Sequence, residues 1–497
     1  MEILMPPLLA ARSRWIALTL LAATQFFLIL DTAIVLVALP SIADELSFAP
    51  ENLSWVTNAY MLTFGGLLLL GGRIADLLGR RRLFMIGLAL FAVASLGGAL
   101  ATSAAWLIAA RALQGVGAAV VSPAALSLVI TLFTDPAERN KALGIWGAVA
   151  GMGAAAGSIL GGFLTEWFGW EAVLWVNVPI AVIAVALAPR LLPEGRSQVL
   201  RRSFDFGGAI TVTGGLTVLV YALVDAEQAG WGSSQTLGLL SLAAVLLIAF
   251  VTIEARSAQP LVPLRIFRIA ALRNANLLTL LTTSAMFTMF FFFTLYSQQV
   301  LGYEPIQAGL AQLPVALIFV ALATPASKVV TQVGYKVPSV TGLLVMGAGL
   351  LWFSRIPADG TYLTDILAPV MLVGIGAVFT VIPLMIAATS QAPASEAGLA
   401  SGLINTTQQV GGALGIAVLG ALASSVTANA VADGTATPQA MTDGFSTGLV
   451  GAAGIAWGAA LLAVLLFTRR RGDPSPMTVV ETSESAEKDF SREPVAV

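Results

Sequence analysis

Fourteen stretches of this 497-residue chain stay apolar for long enough to cross a bilayer, and nothing else in the sequence limits the fold so tightly. A helix needs about 20 mainly apolar residues to cover the hydrocarbon core. Runs such as 15–38, 83–101, 172–188 and 364–388 meet that requirement, and those at 105–131 and 399–424 exceed it, which implies tilt. The expected fold is an all-α polytopic membrane protein. Composition agrees. Hydrophobic residues make up 57% of the chain and charged ones 10%, with mean hydropathy +0.89, more apolar than a soluble core requires.

The basic residues test the count. With the N-terminus inside and the spans alternating, all but two of the 25 Lys and Arg fall in inner segments. Arg355 lies outside and Arg111 falls within a span. An odd number of spans would break this pattern, so both termini are expected on the cytoplasmic side. The run after Trp15 is long enough to span and reads as an uncleaved first helix.

A weak internal repeat sets the organisation. Pro325, Lys328, Gly334 and Lys336 follow the tenth span as Gly72 to Arg82 follow the second, and the thirteenth span has the glycine density of the fifth. Both matches are shifted by eight spans, which predicts six, two and six helices. Residues 1–14 form an inner N-terminus, 15–188 a first six-helix bundle and 189–205 an inner linker. An inserted pair follows at 206–253, then an inner loop at 254–274, whose Leu, Ile, Phe and Arg spacing suits a helix lying on the membrane surface. A second bundle occupies 275–467, and 468–497 is a Ser/Glu/Pro-rich tail expected to be disordered.

Two ionisable residues sit inside spans, where charge costs roughly 2.5–3.5 kcal/mol and normally faces a cavity or a partner. Asp31 lies towards the outer half of the first span and Arg111 in the fourth. The plain alternatives are a helix-end carboxylate near the headgroups and a static strut. Arg111, Gln114, Gly115, Ala118 and Ser122 share one helical face, a polar stripe suited to a water-filled cleft. Arginine keeps its proton, so a carboxylate, Asp31 first, would carry the exchangeable one. The sequence gives no contact between the two. Gly153, Gly157 and Gly161 recur every four residues in the fifth span, a spacing that lets helices approach closely; ordinary packing is the plain reading and a seam where two bundles slide the functional one. In the ninth span Phe287, Phe290 and Tyr296 are candidates for an apolar pocket, with lipid contact as the alternative.

The chain has no cysteine and no histidine, so disulfide and thiolate chemistry are excluded and any proton relay runs on Asp, Glu, Tyr or water. No P-loop or metal cluster motif is present, and no enzymatic activity or cofactor is expected. A net charge of -2 says nothing about a nucleic-acid partner, and none is expected.

The turn at Gly72, Arg73, Asp76, Gly79, Arg80 and Arg81 is dense in arginine and would anchor the inner face on charge alone. Asp76 can accept a fork of hydrogen bonds from an arginine. This Gly-x-x-x-Asp-x-x-Gly-Arg-Arg order resembles the loop joining spans two and three in the major facilitator superfamily. Leu30–Pro40, Arg111–Gly117 (RALQGVG) and Gly157–Gly162 (GSILGG) extend the resemblance, which covers roughly residues 15–467 and points to the fourteen-span drug:proton antiporters. Ser158 stands where that fifth-span signature has proline, and Ala33 and Leu36 replace Thr and Asn in the first-span signature. The resemblance implies a major facilitator fold and alternating access in a bacterial inner membrane. It implies a latch at 72–81, proton coupling at Arg111 and Gln114, and Gly162 in the helix-interface set. The cargo it implies is a small amphiphilic drug or antibiotic exchanged for protons by a monomer. A dedicated metabolite, lipid or siderophore exporter, or a non-transporting sensor, are the other readings.

Overall fold

The computed structural model describes residues 11–49, 52–133, 135–194, 205–257, 260–390 and 397–467. The expectations for residues 1–10, for 195–204 of the linker and for the tail from 468 fall outside the described residues.

The described residues form fourteen rods and no strand. They are α1 (Ala11–Glu45), α2 (Trp55–Leu78), α3 (Arg80–Ala99), α4 (Ala104–Leu132) and α5 (Pro136–Phe168). α6 (Ala172–Leu191) is two pieces joined at Val176. There follow α7 (Phe206–Ala229), α8 (Ser234–Arg256), α9 (Ala270–Leu295, extended by a wide turn to Val300), α10 (Pro305–Val333) and α11 (Lys336–Phe353). α12 opens with a wide turn at Tyr362 and runs to Ser390, and α13 (Ala397–Ala432) and α14 (Thr437–Leu466) complete the set. Twelve of these are apolar enough to cross a membrane by length and composition alone. The other two, α2 and α5, carry Arg73 and Asp76, and Glu138, Arg139 and Lys141, at one end. That is the basic end of the molecule.

The packing repeats when every helix number is raised by eight. α1 packs on α5 as α9 packs on α13, and α2 on α4 as α10 on α12. α3 meets α4 and α6 as α11 meets α12 and α14. The two halves touch through matching pairs, α2 with α13 and α5 with α10. α7 and α8 break the symmetry. They pack on each other, and α7 lies against α2 and α13, covering that one seam. α8 has only 11% of its apolar window buried, so the face turned away from α7 is open to lipid. This is the major facilitator fold with fourteen helices arranged six, two and six.

Two details differ from expectation. The turn at Gly71–Arg82 is almost wholly helix, and α2 and α3 are separated by Gly79 alone, at φ 108°. Gly334, at φ 78°, stands with Tyr335 between α10 and α11. Both positions need a backbone that side-chain-bearing residues avoid. The next basic residues repeat the pattern. Arg81 donates to the carbonyls of Pro189 and Leu192 at the end of α6, while Lys336 donates to Val464 near the end of α14. Cations there meet the negative end of a helix dipole. Among the described residues of the 254–274 loop, no separate amphipathic α-helix forms. A five-residue 3-10 turn spans Leu264–Arg268, with Ile266 buried and Arg265 and Arg268 exposed. Pro260 and Pro263 remove the backbone donors and fix the φ angles that a longer helix would need to choose freely.

Candidate functional site

Asp31 and Arg111 form an ion pair of 2.6 Å, with their side chains 0% and 1% exposed. Five helices of the first bundle build the pocket around them. α1 brings Asp31 and α4 brings Arg111 and Gln114. Arg111 Nη1 also donates to Gln114 Oε1 at 2.9 Å, and its Nε donates to the Val56 carbonyl on α2 at 3.0 Å. The guanidinium carbon stands 4.5 Å above the Tyr60 ring, an electrostatic attraction that strengthens out of water. α3 supplies Ser95, which accepts from Gln114 Nε2 at 2.7 Å, and the same amide reaches Asp31 Oδ1 at 3.4 Å. α6 supplies Asn177, whose amide donates to Asp31 Oδ1 at 2.6 Å.

The carboxylate therefore accepts from one cation and two neutral amides. Such a pair survives burial only when its geometry is good and the remaining groups are bonded. Adding a proton to Asp31 cancels the charge and turns an acceptor into a donor. On Oδ2 that proton would face the Arg111 guanidinium, and on Oδ1 the amides of Asn177 and Gln114, while the other oxygen goes on accepting.

The expected polar stripe on α4 exists, but it does not line a water-filled cleft. Ala118 is buried, and Gly115 presses its backbone against Thr63 and the Tyr60 carbonyl on α2. Ser122 donates to Gln25 of α1 at 3.3 Å. Inside a bundle, polar atoms find each other before they find water.

The glycine row of α5 is a close-packed seam with α1 of its own bundle. Side chains on Gly153, Gly157 and Gly161 would meet the carbonyls of Phe26, Leu30 and Ile34 at 2.9, 3.0 and 2.8 Å. The sliding seam between bundles is therefore not on that face. Gly162, one residue on, does face the other bundle. A Cβ there would stand 2.5 Å from Ile306 Cα and the Pro305 carbonyl oxygen of α10. Gly309 packs against the Ser158 carbonyl, and Ser158 donates to Gln312 at 3.4 Å. Glu166 accepts from the Ile306 amide at 3.1 Å, and Gln298 donates to the Val37 carbonyl at 2.8 Å. These contacts tie the two bundles together at the end opposite the basic one.

At the basic end Arg80 bonds Thr131 and the Ser127 carbonyl of α4, and Arg81 adds an ion pair to Glu194 at 2.8 Å. Those partners lie in α4 and at the end of α6 and the start of the linker that follows it. Arg73 reaches further and donates to the Pro260 carbonyl at 2.9 Å, in the loop that leads into α9. Gly72 lies against Pro123 of α4. The side chain of Asp76 is outside the described residues.

The three aromatic candidates separate. Phe287 packs against the cores of both bundles, beside Gly412 and Met61, where α2, α9 and α13 meet. Phe290 is partly buried against the second bundle's core. Tyr296 is fully buried, and its hydroxyl donates to the Pro357 carbonyl at 2.6 Å. It is a strut, not a pocket wall. Tyr296→Phe is expected to lower stability by about 1 kcal/mol, read as a lower melting temperature, with transport selectivity unchanged.

Comparison with known proteins places these features in a family. Residues 21–416 match the family model described as Major Facilitator Superfamily. The puromycin resistance protein of Streptomyces alboniger is 40% identical over 456 residues, covering 91% of this chain and 90% of its own. The cephamycin export protein of Amycolatopsis lactamdurans is 42% identical over 420 residues, covering 84% and 86%. Among solved structures, an auto-inhibited peptide transporter of the POT family superposes with a TM-score of 0.66 at 17% identity, covering 93% of this chain and 98% of its own, a likeness of fold. The chain is a multi-pass membrane protein that belongs to the Major Facilitator Superfamily.

Proposed function

We propose that this chain is a proton-driven exporter of antibiotics or amphiphilic drugs, working by alternating access. The observation that carries the reading is the buried Asp31–Arg111 pair held by neutral amides. α1 links that pair to the bundle seam. Asp31 faces the polar site, while Leu30 and Ile34 pack on α5, and Val37 accepts a hydrogen bond from α9. A change at Asp31 is thus felt where the bundles meet. The basic end and both termini lie in the cytoplasm of a bacterium, in line with the arginine bias. The protein works in the inner membrane as a monomer, and needs neither a cofactor nor a nucleic-acid partner.

Drug enters between the bundles from the cytoplasm or inner leaflet. A proton from outside reaches Asp31, weakens its pairing with Arg111 and resets the bundles. One inward charge is worth about 2.3 kcal/mol per 100 mV and one pH unit about 1.4 kcal/mol. Together they support a gradient of roughly five hundredfold for a neutral drug at one proton per cycle. The resistance relative favours a drug as cargo. The export relative favours a dedicated exporter of one endogenous product, the second reading.

The test uses inverted vesicles under an imposed proton gradient, with puromycin and a fluorescent lipophilic cation as probes. Wild type takes up probe only with the gradient, and an uncoupler abolishes uptake. Asp31→Asn falls to the level of vesicles lacking the protein while still exchanging labelled for unlabelled probe. Full uphill uptake by well-folded Asp31→Asn removes Asp31 from the coupling. Absence of uptake of either probe by well-folded wild type selects the dedicated exporter.

A further inference from the structure

A second pair of carboxyl groups lies at the basic end, far along the chain from Asp31. Asp205 caps α7, its Oδ1 accepting from the Gly208 amide at 2.8 Å. Glu254 sits in the last turns of α8, and its Oε2 accepts from the Val262 amide at 3.1 Å. They are 7% and 3% exposed. Both crowd the same glycine. The Cβ position of Gly208 lies 2.7 Å from Glu254 Oε1 and 3.1 Å from Asp205 Oδ1. Glu254 Oε1 and Asp205 Oδ2 are buried with no hydrogen-bond donor. Two carboxylates in one buried site cannot both stay ionised cheaply, and the usual resolution is a single proton shared between them.

Their surroundings show what that proton would control. Leu261, Val262 and Ile266 of the connecting loop share a small apolar cluster with Leu70 of α2, Ala209 of α7, Leu272 of α9 and Leu403 of α13. First bundle, inserted pair and second bundle meet there. The loop is held from two sides, by Arg73 at the Pro260 carbonyl and by Glu254 at the Val262 amide. The charged groups that bear on Glu254 are Asp205 from α7 and Arg73 from α2, and the loop contributes the backbone amides of Val262 and Leu261. Arg265 and Arg268 of the neighbouring turn are exposed. The α9 and α13 residues of the cluster are apolar.

We propose that Asp205 and Glu254 form a second proton-binding site, which fastens the loop between the inserted pair and the second bundle when it holds its proton. With one proton shared, Glu254 keeps its bond to Val262 and the three bodies stay joined at the basic end. With the proton gone, two like charges face each other, Glu254 is driven off the loop, and the loop keeps its bond to Arg73 and its apolar contacts. The sign follows. The fastened form prevails at low pH and the released form at high pH. The site does not depend on Asp31 being the coupling carboxylate.

The test reads the proton itself, in full-length protein carrying Asp31→Asn so that only this site remains in view. Infrared spectra at neutral pH are expected to show the band of a protonated carboxyl that exchanges with deuterium slowly. Glu254→Gln added to that background should abolish the band. Asp205→Asn serves as the second variant should the first not fold, and should shift or abolish it. Absence of the band in Asp31→Asn, or a band untouched by both substitutions, overturns the proposal. The fastening is read by spin labels on Leu78→Cys and Val333→Cys, exposed at the basic ends of α2 and α10 in a chain with no cysteine of its own. Their separation in the Asp31→Asn background should grow as pH rises and cease to respond in Glu254→Gln. A pH response that survives Glu254→Gln and Asp205→Asn unchanged overturns the fastening role.

Discussion

Arg111→Ala is expected to lower proton-driven uptake by at least about a hundredfold and to reduce the melting temperature. Removing one partner of a buried ion pair costs about 3–5 kcal/mol, because the other charge is left stranded, and each 1.4 kcal/mol is a factor of ten. Here the stranded group is Asp31, 0% exposed and left with the neutral amides of Gln114 and Asn177 as donors. It would escape the penalty by keeping its proton permanently, which ends coupling. Arg111→Lys should rescue folding better than transport. A single ammonium cannot reach the Val56 carbonyl, Asp31 and Gln114 with the fixed geometry of a guanidinium. Gradient-driven uptake by inverted vesicles measures the first effect and thermal unfolding in detergent the second. Near wild-type uptake in Arg111→Ala would make the pair a strut.

Gly162→Val is expected to cost at least tenfold in transport without lowering expression. Its side chain would enter the Pro305–Ile306 backbone of the other bundle, where 2.5 Å separates a Cβ from both partners. Overpacking costs about 1–3 kcal/mol, occasionally more, and that cost falls only on the arrangement in which these ends touch. The equilibrium shifts towards bundles parted at the end opposite the basic one, which spin labels placed there would report as a longer distance. Gly153→Val is the contrast. Its partner, the Phe26 carbonyl, belongs to the same bundle and stays close throughout the cycle, so that variant should express poorly and show no shift between states. Wild-type distances in Gly162→Val would take the α5–α10 contact out of the transport cycle.

The sequence carried the fold well because a bilayer leaves few choices. Apolar length marks each rod, and the eight-span shift in Gly79 and Gly334 already announced the repeat that the packing displays. The site was half legible. Asp31 and Arg111 stood out as charges in apolar runs, but which charge meets which depends on rotations that sequence does not record. Asn177, Ser95 and Tyr60 were missed since neutral polar residues are common in spans. Asn177 alone offered a signal, an amide between Val176 and Val178 in an otherwise apolar run. The glycine row was legible as a close contact but not its partner: Gly153, Gly157 and Gly161 pack within the bundle while Gly162 meets the other one, because spacing fixes how near a helix comes and not which helix it is. Tyr296 was misplaced for a similar reason: an aromatic ring with a hydroxyl looks the same in a pocket and in a strut.

The inserted pair has one more consequence. Bundles that rock against each other part along two flanks, and each flank is a doorway to the membrane. α7 stands across the α2–α13 flank, with Thr213 lodged against Gly66, and α8 backs it with a wall turned to lipid. A greasy molecule dissolved in the leaflet is left with the α5–α10 flank as its way in. Any traffic from the bilayer would then be one-sided, the side set by two helices that carry no part of the Asp31–Arg111 site.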